Sequence, residues 1–494
     1  MATVEESTCL CQICHNVRET IHQTFNVIDK FRWLLDAYIV DFYEDDFWKK
    51  LPNSWIDFLE STTPGELGSW ILNENPRNRV WPLSLQAFRR VIKLLQINRD
   101  PSRKIVLKCE NIRMKEKTMG PDSLPFKITN ESRKRNSNVS SNHPKLRNLF
   151  AKHVKPKKKH EIDIMMIADC AASSNSEFAV DIGAGMGHLA RTLAYKYEMY
   201  VTCVEQQSSL SEQARNLDAK FESMALKYLP NFRGQKPEHV SLKIERNSTG
   251  SSLFAKRLED EFKDKFKLYK ESLGFGLVGL HPCGDLATTL LQFYAETESA
   301  RFICIAGCCY MKLTLGDDSE TSRSYPLSKY LQSSRNNKLS YAALEVSCHA
   351  VENHCQKLKS AEYWELKVHA YRAALESLLV EKDPTLRYGK LRSVKLRENT
   401  TFKEYCIAAT KDLLEENQLE SLKDFENPRI SKLLERWERV VIFCSLRLMI
   451  APLVESIVLL DRFLYLSEKN LSPKLKAVFD PHLSPRNFVI TSVK

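Results

Sequence analysis

The sequence lacks two features by which exported and membrane proteins are usually recognised. No charged stretch followed by an apolar one stands near its N-terminus, and its most apolar segment, 440–464, is interrupted by Arg447, Pro452, Glu455 and Asp461. A membrane helix needs about 20 residues with few or no charges. We therefore expect a protein of the cytoplasm, the nucleus or both, without a membrane partner, in which 440–464 forms a pair of buried helices.

The fourteen cysteines lack the regular spacing of a disulfide framework. In a chain without a secretion signal, this predicts reduced thiols. Cys11, Cys14 and His15 match the haem-attachment pattern C-x-x-C-H, but nothing here indicates the compartment that haem attachment requires. With Cys9 they leave a zinc site as an alternative, although no second ligand pair follows at zinc-finger spacing. We expect ordinary reduced cysteines here and no bound metal in the chain.

Net positive charge is confined to one segment of the chain. The chain has a net charge of +11, and residues 101–160 alone hold 17 Lys and Arg residues against 4 Asp and Glu residues. The clusters at 133–135 and 155–159 are what a phosphate backbone attracts. We predict an RNA partner for this segment. The alternatives are a solvated linker or a nuclear-import signal.

The 494 residues, of which 43% are apolar, suffice for two or three domains. Apolar residues recur at helical intervals in 1–99, which we predict to be a helical domain, and 100–145 reads as a basic flexible linker. Strand and helix patterns then alternate in 146–311, the predicted core. A helical insertion, 312–470, is a candidate platform for a substrate or protein partner, and 471–494 reads as a hairpin that completes the core sheet.

The predicted core strands are 177–183, 199–205, 238–244, 275–281 and 301–306, and alternation with helices is typical of a doubly wound parallel sheet. The hairpin strands are 475–479 and 487–493. Trp33, Trp48, Trp55, Trp70 and Trp81 crowd the N-terminal region. We interpret this aromatic stripe as the core of the helical domain, not as a platform for stacking bases.

The most informative motif runs from Asp181 through Gly183, Gly185 and Gly187 after an apolar strand and before a helical pattern. Glycines at alternate positions permit a sharp turn and a close approach to a ligand, while the helix N-terminus offers free N–H groups. A dinucleotide site wants its third glycine at position 188, where this chain has histidine. The pattern, with Ala184 between the first two glycines, therefore resembles the first motif of class I S-adenosylmethionine (SAM) methyltransferases.

Glu205 ends the next predicted strand, where such folds hold ribose hydroxyls. We thus predict SAM as the cofactor, bound by Asp181, the motif glycines, Ala184 and Glu205. A dinucleotide site and a purely structural glycine turn are the alternatives.

Reactive side chains follow the fourth and fifth predicted core strands, at the sheet edge where ligands bind. A hydroxyl acceptor would need a general base, for which Asp285 and His281 are candidates, with Tyr310 as a positioning group. Asp285 could instead cap the helix that starts after it, and His281 could simply line the pocket. We expect Cys283, Cys308 and Cys309 to shape the acceptor pocket. Zinc binding by these thiols and an imidazole is the minor alternative.

These two segments, 279–286 and 305–310, together with the glycine motif, resemble the methyltransferase-like protein 25 family, also named for a ribosomal RNA adenine dimethylase domain. The segments 156–161, 325–328 and 479–487 fit the same family pattern. The resemblance covers nearly the whole chain and implies a SAM-binding fold. It also implies that Lys158 and His160, with Glu161, reach the methionine end of the cofactor, unless they only end the basic segment.

A more distant resemblance is to tRNA ribose 2′-O-methyltransferases, through 280–288 and 306–310. Here Asp285 precedes Ala287 instead of following Thr288, and Tyr310 and Met311 stand where that family has two histidines. We predict a class I SAM methyltransferase fold with a closing antiparallel hairpin, and a methyltransferase acting on tRNA or rRNA. A protein methyltransferase and a SAM-binding sensor or scaffold without turnover are the alternatives.

Overall fold

The computed structural model describes residues 9–74, 79–111, 148, 154–228, 236–242, 254, 256–258, 260, 274–316, 324–413 and 427–494. The basic cluster at 133–135 lies outside them. The strands are β1 (Val106–Lys108), β2 (Phe178–Ile182), β3 (Tyr200–Glu205), β4 (Glu238–Ser241), β5 (Phe275–Gly279), β6 (Ala300–Ala306), β7 (Lys474–Ala477) and β8 (Phe488–Val493).

The α-helices are Gln12–Lys30, Arg32–Leu35, Asn53–Leu59, Pro64–Leu72, Leu83–Leu95, Pro156–Ile164, Ile167–Ser174, His188–Tyr197, Ser208–Tyr228, Asp285–Glu296, Lys329–Ser333, Tyr341–Val346, Val351–Lys359, Val368–Lys382, Phe402–Thr410, Pro428–Leu434, Trp437–Met449 and Ala451–Glu468.

The eight strands form one sheet in the order β1-β7-β8-β6-β5-β2-β3-β4. Strands β2 to β6 are parallel to their neighbours within this set, because a helix crosses over between most successive strands. The strand order reverses between β2 and β5, which makes the carboxyl ends of these strands the place where ligands bind. All five predicted core strands are confirmed, and their ends differ from the predicted ones by at most three residues.

The C-terminal hairpin closes the sheet as predicted. Strand β8 lies between β6 and β7 and is antiparallel to both. Asn487, whose side-chain amide donates to the carbonyls of Arg99 and Phe479, fixes the turn before β8. The predicted α/β fold class with an antiparallel hairpin is thereby confirmed.

Strand β1 is an element that the sequence analysis did not predict. It lies within the segment interpreted as linker from residue 100, and it pairs antiparallel with β7 at the sheet edge. Three residues are too few to show strand periodicity, and only pairing with β7 gives them their conformation. The described part of the predicted linker is therefore structured up to 111.

The central strands are buried on both faces, since every residue of β2 and β5 is buried. This explains why they read as continuous apolar runs and not as alternating patterns. Their faces pack against helices whose buried residues include Leu189, Leu193 and Ile167. The sheet edge that carries the glycine motif is thus held on a rigid layer.

The chain divides into two compact units that do not follow the predicted boundaries. One unit holds 1–22, 98–338 and 456–494 and contains the whole sheet. The other holds 23–97 and 339–455, so the N-terminal helices and most of the predicted insertion share one unit. Helices far apart in sequence pack together here, which periodicity within each segment does not reveal.

The aromatic residues of the second unit are mostly core, as interpreted. The indoles of Trp70 and Trp81 stack with ring centroids 4.3 Å apart, and Arg89 lies over Trp70 at 4.6 Å. Trp48, Trp55, Trp70 and Trp81 are buried. The exception is Trp33, which is 37% exposed.

One described helical stretch, Trp437–Glu468, is long and apolar enough to cross a membrane when judged by length and composition alone. Its mean hydropathy reaches 2.0, but 94% of that window is buried inside the protein, as in the core helix of a globular fold. It consists of two consecutive helices, which is the helix pair expected from the sequence.

Candidate active site

The turn after β2 is built from three glycines in the left-handed region, with φ of +71° at Gly183, +57° at Gly185 and +68° at Gly187. The N–H of Gly183 donates to the carbonyl of Val204, which ties the turn to β3. A Cβ on Gly185 would meet no described atom within 4 Å, whereas one on Gly187 would lie 3.0 Å from the ring of His239. Gly185 therefore borders open space, while Gly187 is required by packing.

Asp181 stands at the carboxyl end of β2, directly before this turn. Its side chain is buried, and its Oδ2 has no hydrogen-bond partner among the described residues. Burial raises the pKa of Asp181 to about 7, against the opposing effect of the Lys158 charge. A carboxyl group with an unused oxygen at a ligand-binding edge is suited to a donor or cationic group of a ligand.

Glu205 ends β3 beside the turn. Its carboxylate accepts hydrogen bonds from the backbone N–H of Gly185 at 2.9 Å and of Gln207 at 3.0 Å. These bonds place an acceptor next to the open space at Gly185. Each oxygen retains a further lone pair for a ligand hydroxyl.

A buried charged network supports the turn from below. Arg191 Nε donates to Asp218 Oδ1 at 2.5 Å, and His239 Nε2 lies 2.7 Å from Asp218 Oδ2. The side chains of Arg191, Asp218 and His239 are at most 2% exposed. Because this network joins the helix after the glycines to Ser208–Tyr228 and β4, it holds the turn in place. Charged residues within otherwise apolar helix faces were its only sign in the sequence.

His281, just beyond β5, is paired with a carboxylate. Its Nε2 lies 3.0 Å from Glu161 Oε2, and its Nδ1 lies 3.4 Å from Cys308 Sγ. Burial lowers the pKa of His281, but the hydrogen bonds with Cys308 and Glu161 outweigh it and raise the pKa to about 9. An imidazolium held this way donates protons near pH 7 and does not accept them, so the geometry does not favour His281 as a general base.

The helix Pro156–Ile164 brings the segment before β2 to the same edge. Glu161 is buried and also accepts a hydrogen bond from Ser484 Oγ at 2.6 Å. Lys158 lies close enough to Asp181 to influence its pKa. His160 Nε2 instead accepts from the backbone N–H of Asp480 at 2.9 Å, so it anchors the turn before β8. Of the predicted pair, Lys158 is the one whose charge acts on Asp181.

Three thiols meet where β5 and β6 end. Cys308 Sγ lies 3.6 Å from Cys283 Sγ and 3.4 Å from Cys309 Sγ. The hydrogen bond with Cys283 and burial raise the pKa of Cys308 to about 11, whereas the hydrogen bond from Cys308 lowers the pKa of Cys283. The structure thus brings the predicted pocket cysteines together, and Cys309 adopts a left-handed φ of +42° to do so.

Asp285 begins its helix but does not cap it, because both carboxylate oxygens are engaged by Thr314. The backbone N–H of Thr314 donates to Oδ1 at 2.8 Å, and its hydroxyl donates to Oδ2 at 2.6 Å. The N-cap position belongs to Gly284, which has no side chain to offer. Asp285 therefore ties the segment after β6 to the end of β5.

Comparison with known proteins identifies the fold around this site. Residues 157–315 match the family described as "Methyltransferase domain". The chain contains a methyltransferase domain. The matched residues include β2, β3, β5 and β6, the strands at whose ends the glycine turn, His281 and the three thiols lie.

The methyltransferase domain also has curated relatives. The chain is 24% identical over 285 residues to a probable methyltransferase-like protein 25 of Homo sapiens, covering 54% of this chain and 45% of the relative. It is 27% identical over 242 residues to the Mus musculus protein, covering 44% and 37%. These matches establish distant homology to methyltransferase-like protein 25, and they span less than half of the relatives' length.

Two solved structures are loosely similar to this chain. Magnesium protoporphyrin IX methyltransferase of Synechocystis with bound SAM is 10% identical, with a TM-score of 0.21, and the match covers 42% of this chain and 87% of that one. The plantazolicin methyltransferase in complex with SAH is 10% identical, with a TM-score of 0.19 and coverage of 62% and 90%. At these scores the alignments carry no argument about the site.

Tyr310 and Arg462 lie behind the thiols of the methyltransferase domain. Tyr310 is fully buried, and the Arg462 guanidinium stands 5.8 Å from the centre of its ring. Arg462 is also buried, and its two terminal nitrogens have no hydrogen-bond partner among the described residues. Sequence analysis missed Arg462, although an arginine in a strongly apolar segment was a usable signal.

Proposed function

We propose that the protein is a SAM-dependent methyltransferase that acts on RNA. The proposal that SAM is the cofactor rests on the glycine turn and the two carboxyl groups, Asp181 and Glu205, at the ends of β2 and β3. Three left-handed glycines form the turn and leave open space at Gly185, whose N–H is bonded to the Glu205 carboxylate. Asp181, with its unpartnered Oδ2, directly precedes the same turn. A ligand with a cationic amino group and neighbouring hydroxyls matches these acceptors, and SAM has both.

Within this proposal the chain's own residues have distinct roles. Asp181 accepts from the amino group of the cofactor, Glu205 accepts from its ribose hydroxyls, and Lys158 balances the charge beside Asp181. SAM, when bound, supplies a methyl group on a sulfonium. Methyl transfer from a sulfonium depends chiefly on in-line positioning of the acceptor, which the ends of β5 and β6 provide.

Support for RNA as the substrate comes from charge. Residues 101–160 carry 17 Lys and Arg residues against 4 acidic ones. Lys158, near the end of this segment, lies close enough to Asp181 to influence its pKa. Side chains of this kind bind phosphates and lose affinity as salt rises. The resemblance of 280–288 to tRNA ribose methyltransferases points to the same class of substrate.

One observation favours a sensor without turnover as the second candidate. The two predicted bases are both engaged, since Asp285 bonds Thr314 through both oxygens and His281 is paired with Glu161. Neither of these two described residues is therefore available as a base for a hydroxyl acceptor. An acceptor nitrogen, which needs no such help, remains consistent with the enzyme.

The test is to incubate the purified protein with radiolabelled SAM and lysate from cells that lack it, and then to divide the products between RNase and protease. Gly185→Arg should abolish labelling because it fills the open space beside the turn. Gly65→Arg is the matched control, since a Cβ on Gly65 also meets no described atom within 4 Å. Gly65 is far from the glycine turn in sequence and belongs to the other unit.

Label that RNase removes, and that Gly185→Arg but not Gly65→Arg prevents, supports the RNA methyltransferase. Label removed only by protease replaces RNA with a protein substrate. SAM binding by calorimetry without label in either pool refutes the enzyme and leaves the sensor. Absence of SAM binding refutes the whole proposal.

A further inference from the structure

Four cysteines from distant parts of the chain converge at one buried point away from the glycine turn. Cys9, Cys11 and Cys14 lie at and before the start of the helix Gln12–Lys30, and Cys109 follows β1 directly. All four are at most 8% exposed. Their sulfur atoms all lie within 4.8 Å of one another.

The distances match a single tetrahedral ion. Cys109 Sγ lies 3.5 Å from Cys9 Sγ, 3.9 Å from Cys11 Sγ and 3.6 Å from Cys14 Sγ. Zinc bound to four thiolates at about 2.3 Å separates the sulfurs by about 3.8 Å. A disulfide would instead need sulfurs about 2.05 Å apart, and all four cysteines are free in the structure.

We infer that Cys9, Cys11, Cys14 and Cys109 form a structural zinc site. Four thiolates complete the tetrahedron and leave no position open for a substrate, as in structural sites and unlike catalytic ones. The backbone N–H of Cys14 donates to Cys11 Sγ at 3.4 Å, a contact that stabilises a thiolate ligand. His15, the other metal-binding residue of the sequence motif, is exposed and stands outside the cluster.

The position of the site explains what the ion does. Strand β1 has three residues, and among the described strands it pairs with β7 alone. The N–H of Cys109 donates to the carbonyl of Pro473 just before β7. So short an edge strand is weakly held by its ladder alone. Bound zinc would fasten it to the start of Gln12–Lys30, because the free energy of metal binding is gained only when both segments are in place.

A second group of cysteines, Cys283, Cys308 and Cys309, offers three sulfur ligands to a metal, and two of these residues, Cys283 and Cys309, are only half-buried. It belongs to the candidate active site, so the test must separate the two groups. The full-length protein, purified without chelators, is analysed for metals by mass spectrometry. We expect one zinc ion per chain, lost in Cys109→Ser and retained in Cys283→Ser.

Cys355→Ser is the matched control, since Cys355 is equally buried but belongs to neither group. A second measurement needs no variant. Thiol alkylation of the native protein, mapped by peptide mass spectrometry, should leave Cys9, Cys11, Cys14 and Cys109 unmodified until zinc is chelated, and then modify all four together. Replacement of zinc by cobalt should give the visible bands of a tetrahedral tetrathiolate site.

Three results would overturn the inference: no stoichiometric zinc in the wild type, zinc that is lost from Cys283→Ser but kept by Cys109→Ser, or an unreduced mass lower by four hydrogens, which indicates two disulfides. Iron with the absorption of an iron–thiolate centre would overturn the assignment to zinc. None of these outcomes depends on whether the protein binds SAM.

Discussion

Replacement of Asp181 by asparagine should stabilise the sheet-containing unit above neutral pH. In the folded protein burial raises the pKa of this carboxyl from 3.8 to about 7. Between these values the unfolded chain releases the proton while the folded chain keeps it, so folding becomes less favourable as the pH rises. Asparagine has the same shape and no charge, and it removes this penalty.

The magnitude follows from the shift of roughly three pH units. At about 1.4 kcal/mol for each unit, the penalty reaches about 4 kcal/mol once the pH exceeds 7. The difference in unfolding free energy between Asp181→Asn and the wild type should therefore increase by about 3 to 4 kcal/mol as the pH rises from 4 to 8. Asp461, whose pKa burial raises to about 6, is present in both proteins and cancels in the difference.

The assay must report on the correct unit. All seven tryptophans lie in 23–97 and 339–455, so their fluorescence follows the other unit. Hydrogen exchange of peptides from β2, β3 and β5, measured in urea and compared at equal pH, reports on the sheet. Tryptophan fluorescence then serves as the internal control, and Asp163→Asn, which alters an exposed carboxyl of the same unit, is the control variant.

A stability difference that stays constant from pH 4 to pH 8 would refute the buried, protonated carboxyl. Calorimetry with SAM adds a second readout, since the same variant should bind SAM more weakly. Stabilisation together with weaker binding is the signature of a group that is retained for a ligand at the expense of the fold.

Three further predictions concern the same edge of the sheet. Asp218→Ala leaves the buried Arg191 guanidinium without its carboxylate and the buried His239 ring without its hydrogen-bond partner, which should cost about 3 to 5 kcal/mol. Hydrogen exchange in Ser208–Tyr228 should become faster while the tryptophan transition stays unchanged; equal protection would contradict this prediction. Gly185→Ala and Gly187→Ala share the strain of a left-handed φ, about 1 kcal/mol. Only the Gly187 variant also presses on a buried ring, that of His239, so its melting temperature should be lower than that of the Gly185 variant. The reverse order of melting temperatures would exclude this packing. Glu161→Gln should lower the pKa of His281 from about 9 towards 6.5, which a histidine NMR titration measures. In the wild type, the stability that the His281–Glu161 pair contributes should decrease as the pH rises from 6.5 through 9. An unchanged titration would show that Glu161 does not hold the proton on His281.

The sequence predicted what local patterns encode. Glycines at 183, 185 and 187 indicated a turn because glycine adopts the left-handed region without strain, and the buried strands read as apolar runs. The hairpin before β8 was visible because its turn is rich in proline and polar residues. These features depend on residues that are neighbours in sequence.

Features that depend on distant residues were not predictable in this way. Cys109 stands about 100 residues from Cys9, and Glu161 stands 120 residues from His281. No spacing rule connects such pairs, because only the packing of helices and loops against the sheet brings them together. Strand β1 was missed for the same reason, since its conformation comes from pairing with β7.

The place of β8 in the sheet has a consequence for synthesis on the ribosome. Phe302 to Ala306 of β6 pair with residues 489–493, about 190 residues later in the chain. At about 5 to 20 residues per second, this edge of β6 waits about 10 to 40 s for its partner. Until then β6 exposes apolar residues that are buried in the folded protein, together with unpaired backbone groups, and these are the properties of an aggregation-prone edge strand. The nascent chain therefore passes through a stage at which chaperones that bind exposed strands have a defined target.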